Sequence, residues 1–118
     1  MINLFVLLIS LTMSGLGGVA ASQSAKGPTP DQARAAHEIV AQLQKFELIK
    51  RIEIKTGKFY LDGPLWQGFE LTDKKKFIRA MSVYRETEYM GLPQVTLYDS
   101  RSGKELANYG PLLGTTIR

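Results

Sequence analysis

The chain has 118 residues, a net charge of +4, one histidine and no cysteine. That length holds one domain with a modest core. The cysteine count excludes disulfides and thiol nucleophiles, a single histidine excludes a histidine-built metal site, and the small basic excess disfavours nucleic acid as the partner.

Residues 1–24, MINLFVLLISLTMSGLGGVAASQS, carry no charged side chain, and Ile2 to Leu11 is almost continuously apolar. An apolar run followed by small residues predicts a secretory signal peptide over residues 1–21, with Val19-Ala20-Ala21 fitting cleavage after Ala21. The mature protein is then periplasmic or secreted and has no membrane span. A membrane anchor formed by residues 2–21 is the lesser reading. The segment approaches the length of about 20 residues that a span needs, but Gly15, Gly17 and Gly18 interrupt its second half. Residues 22–28, SQSAKGP, read as a flexible linker, and residues 29–118 as a single small domain.

Thr29-Pro30-Asp31-Gln32 predicts a helix start, with threonine as N-cap, proline at the first position and glutamine closing a capping box. Ala33, Ala36, Val40 and Leu43 form one stripe, widened by Ile39 and Phe46, so the helix is expected over about 30–46. Ile52 and Ile54 then alternate with Arg51, Glu53 and Lys55, a half-buried strand. Thr56-Gly57 turns the chain, and Phe59 to Leu61 continues as a second strand. The hairpin spans about 48–55 and 58–62. Pro64 is placed to start a helical turn carrying Leu65, Trp66 and Phe69 inward. Trp66 is expected to plug the end of the core rather than anchor a partner. Thr72 is the expected cap of a second long helix with Phe77, Ile78, Met81 and Tyr84 facing in, ending near Met90 with Gly91 in the left-handed conformation. Residues 94–99 and 105–109 form a second hairpin around Gly103, whose tip is a turn before it is a binding loop. The tail GPLLGTTIR reads as irregular, with Leu112 and Leu113 tucked against the domain. The expected fold is an α+β two-layer sandwich, order α-β-β-α-β-β, with a mostly antiparallel four-stranded sheet covered on one face by two helices.

No Gly-rich phosphate loop or EF-hand occurs, and no cofactor is expected. His37, alone on the first helix, reads as a surface or boundary residue. Two patches carry functional weight. Lys74, Lys75, Lys76 and Arg79 put cations at the positive end of the second long helix, which suits an acidic partner. Tyr60, Tyr98 and Tyr109 are expected on the uncovered sheet face, where they would bury against a protein. Asp62 and Asp99 end strands, and they serve either as turn caps or as a carboxylate pair for hydrolysis.

Trp66, the run Lys74 to Phe77, the apolar face after it, and Tyr98-Asp99 with Ser102-Gly103-Lys104-Glu105-Leu106-Ala107 and Tyr109 together resemble a pattern in small uncharacterised exported proteins of bacteria. The resemblance spans about residues 60–109 and implies an origin in the bacterial envelope but no activity. The leading expectation is an exported, non-enzymatic interaction or accessory domain. Its partner is a protein in the envelope or outside the cell, or a second copy as a homodimer. A nucleic-acid-binding accessory using the basic helix start and a small hydrolase using Asp62 and Asp99 are the alternatives.

Overall fold

The computed structural model describes residues 27–89 and 91–118. The expected signal segment, the linker up to residue 26, and Met90, the expected end of the second long helix, lie outside the described residues. In chain order the elements are α1 (Pro30–Lys45), β1 (Ile49–Glu53), β2 (Lys58–Leu61), α2 (Gly63–Gln67), α3 (Leu71–Glu88), β3 (Val95–Asp99), β4 (Glu105–Gly110) and β5 (Gly114–Ile117).

The start of α1 follows from four residues. Thr29 accepts from the Gln32 N–H, and the Gln32 side chain accepts from the Thr29 N–H in return, with Pro30 opening the helix. This reciprocal cap satisfies two of the amides that any helix start leaves unpaired. The cap of α3 differs from expectation. Its N-cap is Glu70, which makes no side-chain cap bond, and Thr72 lies inside the first turn. Phe69 explains the shift. It is buried edge-on against Phe77, with ring centroids 5.0 Å apart, and reaching that position brings the chain into the helix before Thr72. Burying a phenylalanine outweighs a threonine cap worth about 1 kcal/mol.

The class is α+β, but the sheet has five strands, not four, in the order β1-β2-β3-β4-β5, and it is mixed. β1–β2, β3–β4 and β4–β5 are antiparallel hairpins, whereas β2 and β3 are parallel, with Phe59 opposite Leu97 and Tyr60 opposite Tyr98. The reason is the connection: the 18 residues of α3, at about 1.5 Å each, carry the chain back to the end at which β2 began. The fifth strand comes from the tail that reads as irregular. Gly114, at φ +74°, ends the turn that begins after Gly110, and Thr115, Thr116 and Ile117 pair with β4. Leu112 and Leu113 are not tucked in but stand exposed at the tip of this hairpin.

α1 and α3 pack on one sheet face, and the core lies between the layers. Ile39 and Leu43 from α1 and Ile78 and Met81 from α3 meet Phe59 and Leu97, all of them fully buried. α3 is also fastened by polar groups. Ser82 Oγ donates to the Pro93 carbonyl at 2.6 Å. The Arg85 guanidinium donates to the carbonyls of Ile54, Lys55 and Gln94 at 3.0, 2.6 and 2.7 Å. Arg85 thereby ties the β1–β2 turn to the strand that follows α3. Gly57 is obligatory beneath it: φ is +71°, and a Cβ there would stand 2.5 Å from the Gln94 carbonyl oxygen and 2.8 Å from Arg85 Cζ.

Candidate functional site

The face of the sheet away from the helices carries one continuous row of side chains. Strand alternation and register place Arg51, Tyr60, Tyr98 and Glu105 side by side on β1 to β4. Arg51 Cζ lies 4.2 Å from the Tyr60 ring centroid, and the Tyr60 and Tyr98 rings stack at 5.7 Å with 26° between their planes. Lys58 Nζ stands 6.0 Å from the Tyr98 ring. Glu105 completes the row, accepting from the Asn108 amide at 2.8 Å and from Arg118 at 2.8 and 3.0 Å. The row therefore runs cation, two aromatic rings, anion, cation across the whole sheet. Such cation–π contacts are each worth about 0.5–1 kcal/mol at an exposed site. They hold the rings in place while leaving part of their surface available.

Tyr109 is not on this face. It pairs opposite Val95, so its ring lies on the helix side, partly buried against the core, with Arg79 Cζ 5.4 Å from its centroid. Two-residue alternation on β4 decides this: Ala107 and Tyr109 share the face that meets Leu97 and Val95. Arg79 is thus committed to Tyr109, and Lys74 lies 5.7 Å from the Trp66 ring and donates to Gln67 at 3.3 Å. Lys75 and Lys76 are exposed on α3. The expected aromatic patch is consequently split: Tyr109 meets Arg79 on the helix side, while Tyr60 and Tyr98 stand on the open sheet face away from the basic start of α3. The cations that accompany the tyrosines are instead Arg51 and Lys58, which in sequence look like ordinary strand charges. Their only signal was alternation: Arg51 adjoins the inward Ile52, and Lys58 adjoins the inward Phe59.

The carboxylates serve turns. Asp62 caps α2, accepting from the Leu65 N–H at 3.0 Å. Asp99 accepts from the Ser102 hydroxyl at 2.8 Å and the Arg101 N–H at 3.3 Å, and it lies so close to Gly63 that a Cβ there would come within 2.9 Å. The Ser102 hydroxyl, then the Arg101 N–H, hold its pKa below the ordinary value. Gly103, at φ +74°, and Gly91, at φ +77°, take left-handed positions. His37 sits between the helices, its Nε2 3.0 Å from Thr87 Oγ1 and 3.3 Å from Glu88. Both contacts fall on the same nitrogen, and the Thr87 hydroxyl donates to the Tyr84 carbonyl. A nucleophile–base–acid relay needs the two ring nitrogens to divide those roles. Burial, then Glu88, raise the pKa of the adjoining Tyr84.

Glu105 is likewise held below its usual pKa, by Asn108 first and Arg118 next. A carboxyl whose folded pKa is depressed adds stability above its unfolded pKa, and this is lost as pH falls through the folded value. The Ser102→Ala/Asn108→Ala double variant should therefore be less stable than the wild type at neutral pH. The gap in urea midpoint should narrow as pH drops below about 4, where carboxylates titrate. A gap unchanged by acid would show that neither side chain acts through these carboxyls.

Among the described residues no helix is long and apolar enough to cross a membrane, and no group of three or more potential metal-ligating side chains gathers. Comparison of the chain with known protein families, with curated proteins and with solved structures gives no match.

Proposed function

We propose that this is an exported, non-catalytic interaction domain whose docking surface is the open sheet face around Tyr60 and Tyr98. The observation that carries the reading is the stacked Tyr60–Tyr98 pair flanked by Arg51 and Lys58 on the layer the helices leave uncovered. Tyrosine and arginine are among the side chains most enriched where protein interfaces concentrate their binding energy. The partner is a protein of the cell envelope or the cell exterior. The Glu105–Arg118 pair at the far side of the row supplies charges of both signs for its polar rim.

The Tyr60→Ala/Tyr98→Ala variant tests this. Because both rings are only half-buried, the fold should lose no more than about 2 kcal/mol. Partner recovery from an envelope fraction should drop about tenfold or more. Equal recovery by wild type and a folded variant would refute the assignment. If light scattering shows that wild type dimerises and the variant does not, the partner is a second copy. The same stacked pair could carry single-stranded nucleic acid, since bases stack on aromatic rings. Binding to an oligonucleotide that weakens steeply with salt would identify that alternative.

A further inference from the structure

Hairpin tips are ordinarily polar turn residues and glycine. The β4–β5 tip instead reads Gly110-Pro111-Leu112-Leu113-Gly114, and its leucines are 96% and 89% exposed. Two further exposed apolar side chains, Leu92 and Tyr89, lie at the same end of the domain. The geometry groups them. Tyr109 pairs with Val95 at the start of β3, and Gly110 lies against Gln94, so the hairpin tip stands beside the segment that leads from α3 into β3.

The chain also enters the domain at this end. α1 runs opposite to α3, since α1 leads into Ile49, which pairs with Leu61 at the end of β2, whereas α3 leads into Val95 at the start of the parallel β3. Gly27 lies against Glu86 in the last turn of α3. The residues preceding Gly27 include the uncharged apolar run Ile2 to Leu11. Phe46 and Leu71, the other exposed large hydrophobics among the described residues, lie at the opposite end. One exposed leucine needs no explanation. Four apolar side chains at the end where the described chain begins call for one.

We propose that this end of the domain faces a lipid bilayer, with Leu112 and Leu113 inserted at the boundary of headgroups and acyl chains and Tyr89 at headgroup level. An N-terminal segment held in the bilayer, before or without cleavage, presents this end to the lipid. Tyrosine suits the interface, where one edge of the ring is wet and the rest apolar. This end carries Lys55 and Lys58 but also Glu86 and Glu88, so apolar insertion rather than headgroup charge holds the contact, and salt has little effect on it. The proposal is separate from the sheet-face reading, which concerns a different surface.

The absence of cysteine makes the test site-specific. Leu113→Cys and, as a reference at the opposite hairpin tip, Ser102→Cys are each labelled with an environment-sensitive dye in the full chain. With vesicles of phosphatidylethanolamine and phosphatidylglycerol, the dye at position 113 should shift to the blue and be quenched by spin-labelled lipid. It should do so at both about 0.05 M and about 0.5 M salt, while the dye at position 102 stays water-like. Water-like emission at both positions overturns the proposal whether or not the chain binds the vesicles. Shielding of position 113 without vesicles also overturns it, because the leucines would then be covered by the chain's own N-terminal segment or by a second copy, which light scattering separates.

Discussion

Trp66→Ala is expected to cost about 3–5 kcal/mol of folding stability, the range for truncating a buried large aromatic. Trp66 is fully buried on α2, between the half-buried Leu65 and the buried Phe69, at the junction where the chain leaves the sheet for the helical layer. Asp62 and Pro64 start the short helix that turns the ring inward. A domain of this size has about 5–15 kcal/mol in total, so the variant should unfold at a much lower urea concentration or fail to fold at neutral pH. Trp66→Phe separates ring volume from the indole N–H, which is buried without a hydrogen-bond acceptor among the described residues. An unpaired buried N–H contributes nothing favourable, so Trp66→Phe should lose less than half as much as Trp66→Ala. Because Trp66 is the sole tryptophan, native emission should be blue-shifted and poorly quenched by iodide. Water-like emission would contradict the burial and make Trp66 a candidate binding residue.

Arg85→Ala should cost a similar amount, about 3–5 kcal/mol, by a different mechanism. The residue is 5% exposed and its guanidinium satisfies three backbone carbonyls from two separate segments. Burial lowers its pKa and the neighbouring Tyr89 acts the other way, yet a guanidinium remains charged at neutral pH. Removing it leaves the Ile54, Lys55 and Gln94 carbonyls with lost charge-assisted bonds and opens space around Gly57. Arg85→Lys should recover less than half of the loss, because an ammonium is a point donor and cannot span three acceptors as the planar fork does. Urea midpoints at constant slope check both variants. A loss below about 1 kcal/mol for Arg85→Ala would mean that water replaces the guanidinium without penalty.

Arg85 also shows where reading the chain as a pattern stops. The inward stripe Phe77, Ile78, Met81 extends by one turn to position 85, so an arginine on an apolar face was visible. What it bonds to was not, since its three acceptors lie up to 31 residues away in the chain. The same limit governs the docking row. Alternation in β1 and β2 marks Arg51, Lys58 and Tyr60 as one face, but whether Tyr98 lands next to Tyr60 depends on the parallel register of β2 and β3. Tyr109 illustrates the converse. Its aromatic character suggested the open face, and the pairing of β4 with β3 turned it to the helices.

Local physics was sufficient wherever a structure is decided within one turn or one hairpin. The Thr29 capping box, the Asp99–Gly103 turn, the alternating strands and the inward course of Leu65-Trp66-Phe69 all depend on neighbours a few residues apart, and the sequence by itself determined them. The strand count, the parallel pairing, the shifted start of α3 and the gathering of Leu92, Leu112 and Leu113 at one end were decided only by tertiary structure. Each depends on which distant segment lies alongside: a β-branched Thr-Thr-Ile tail becomes a strand only because β4 offers an unpaired edge, and Phe69 sets the start of α3 only because Phe77 is there to receive it. Backbone hydrogen bonds and apolar contacts between segments far apart in sequence outweigh local preferences of about 1 kcal/mol, and those contacts exist only once the layers have met.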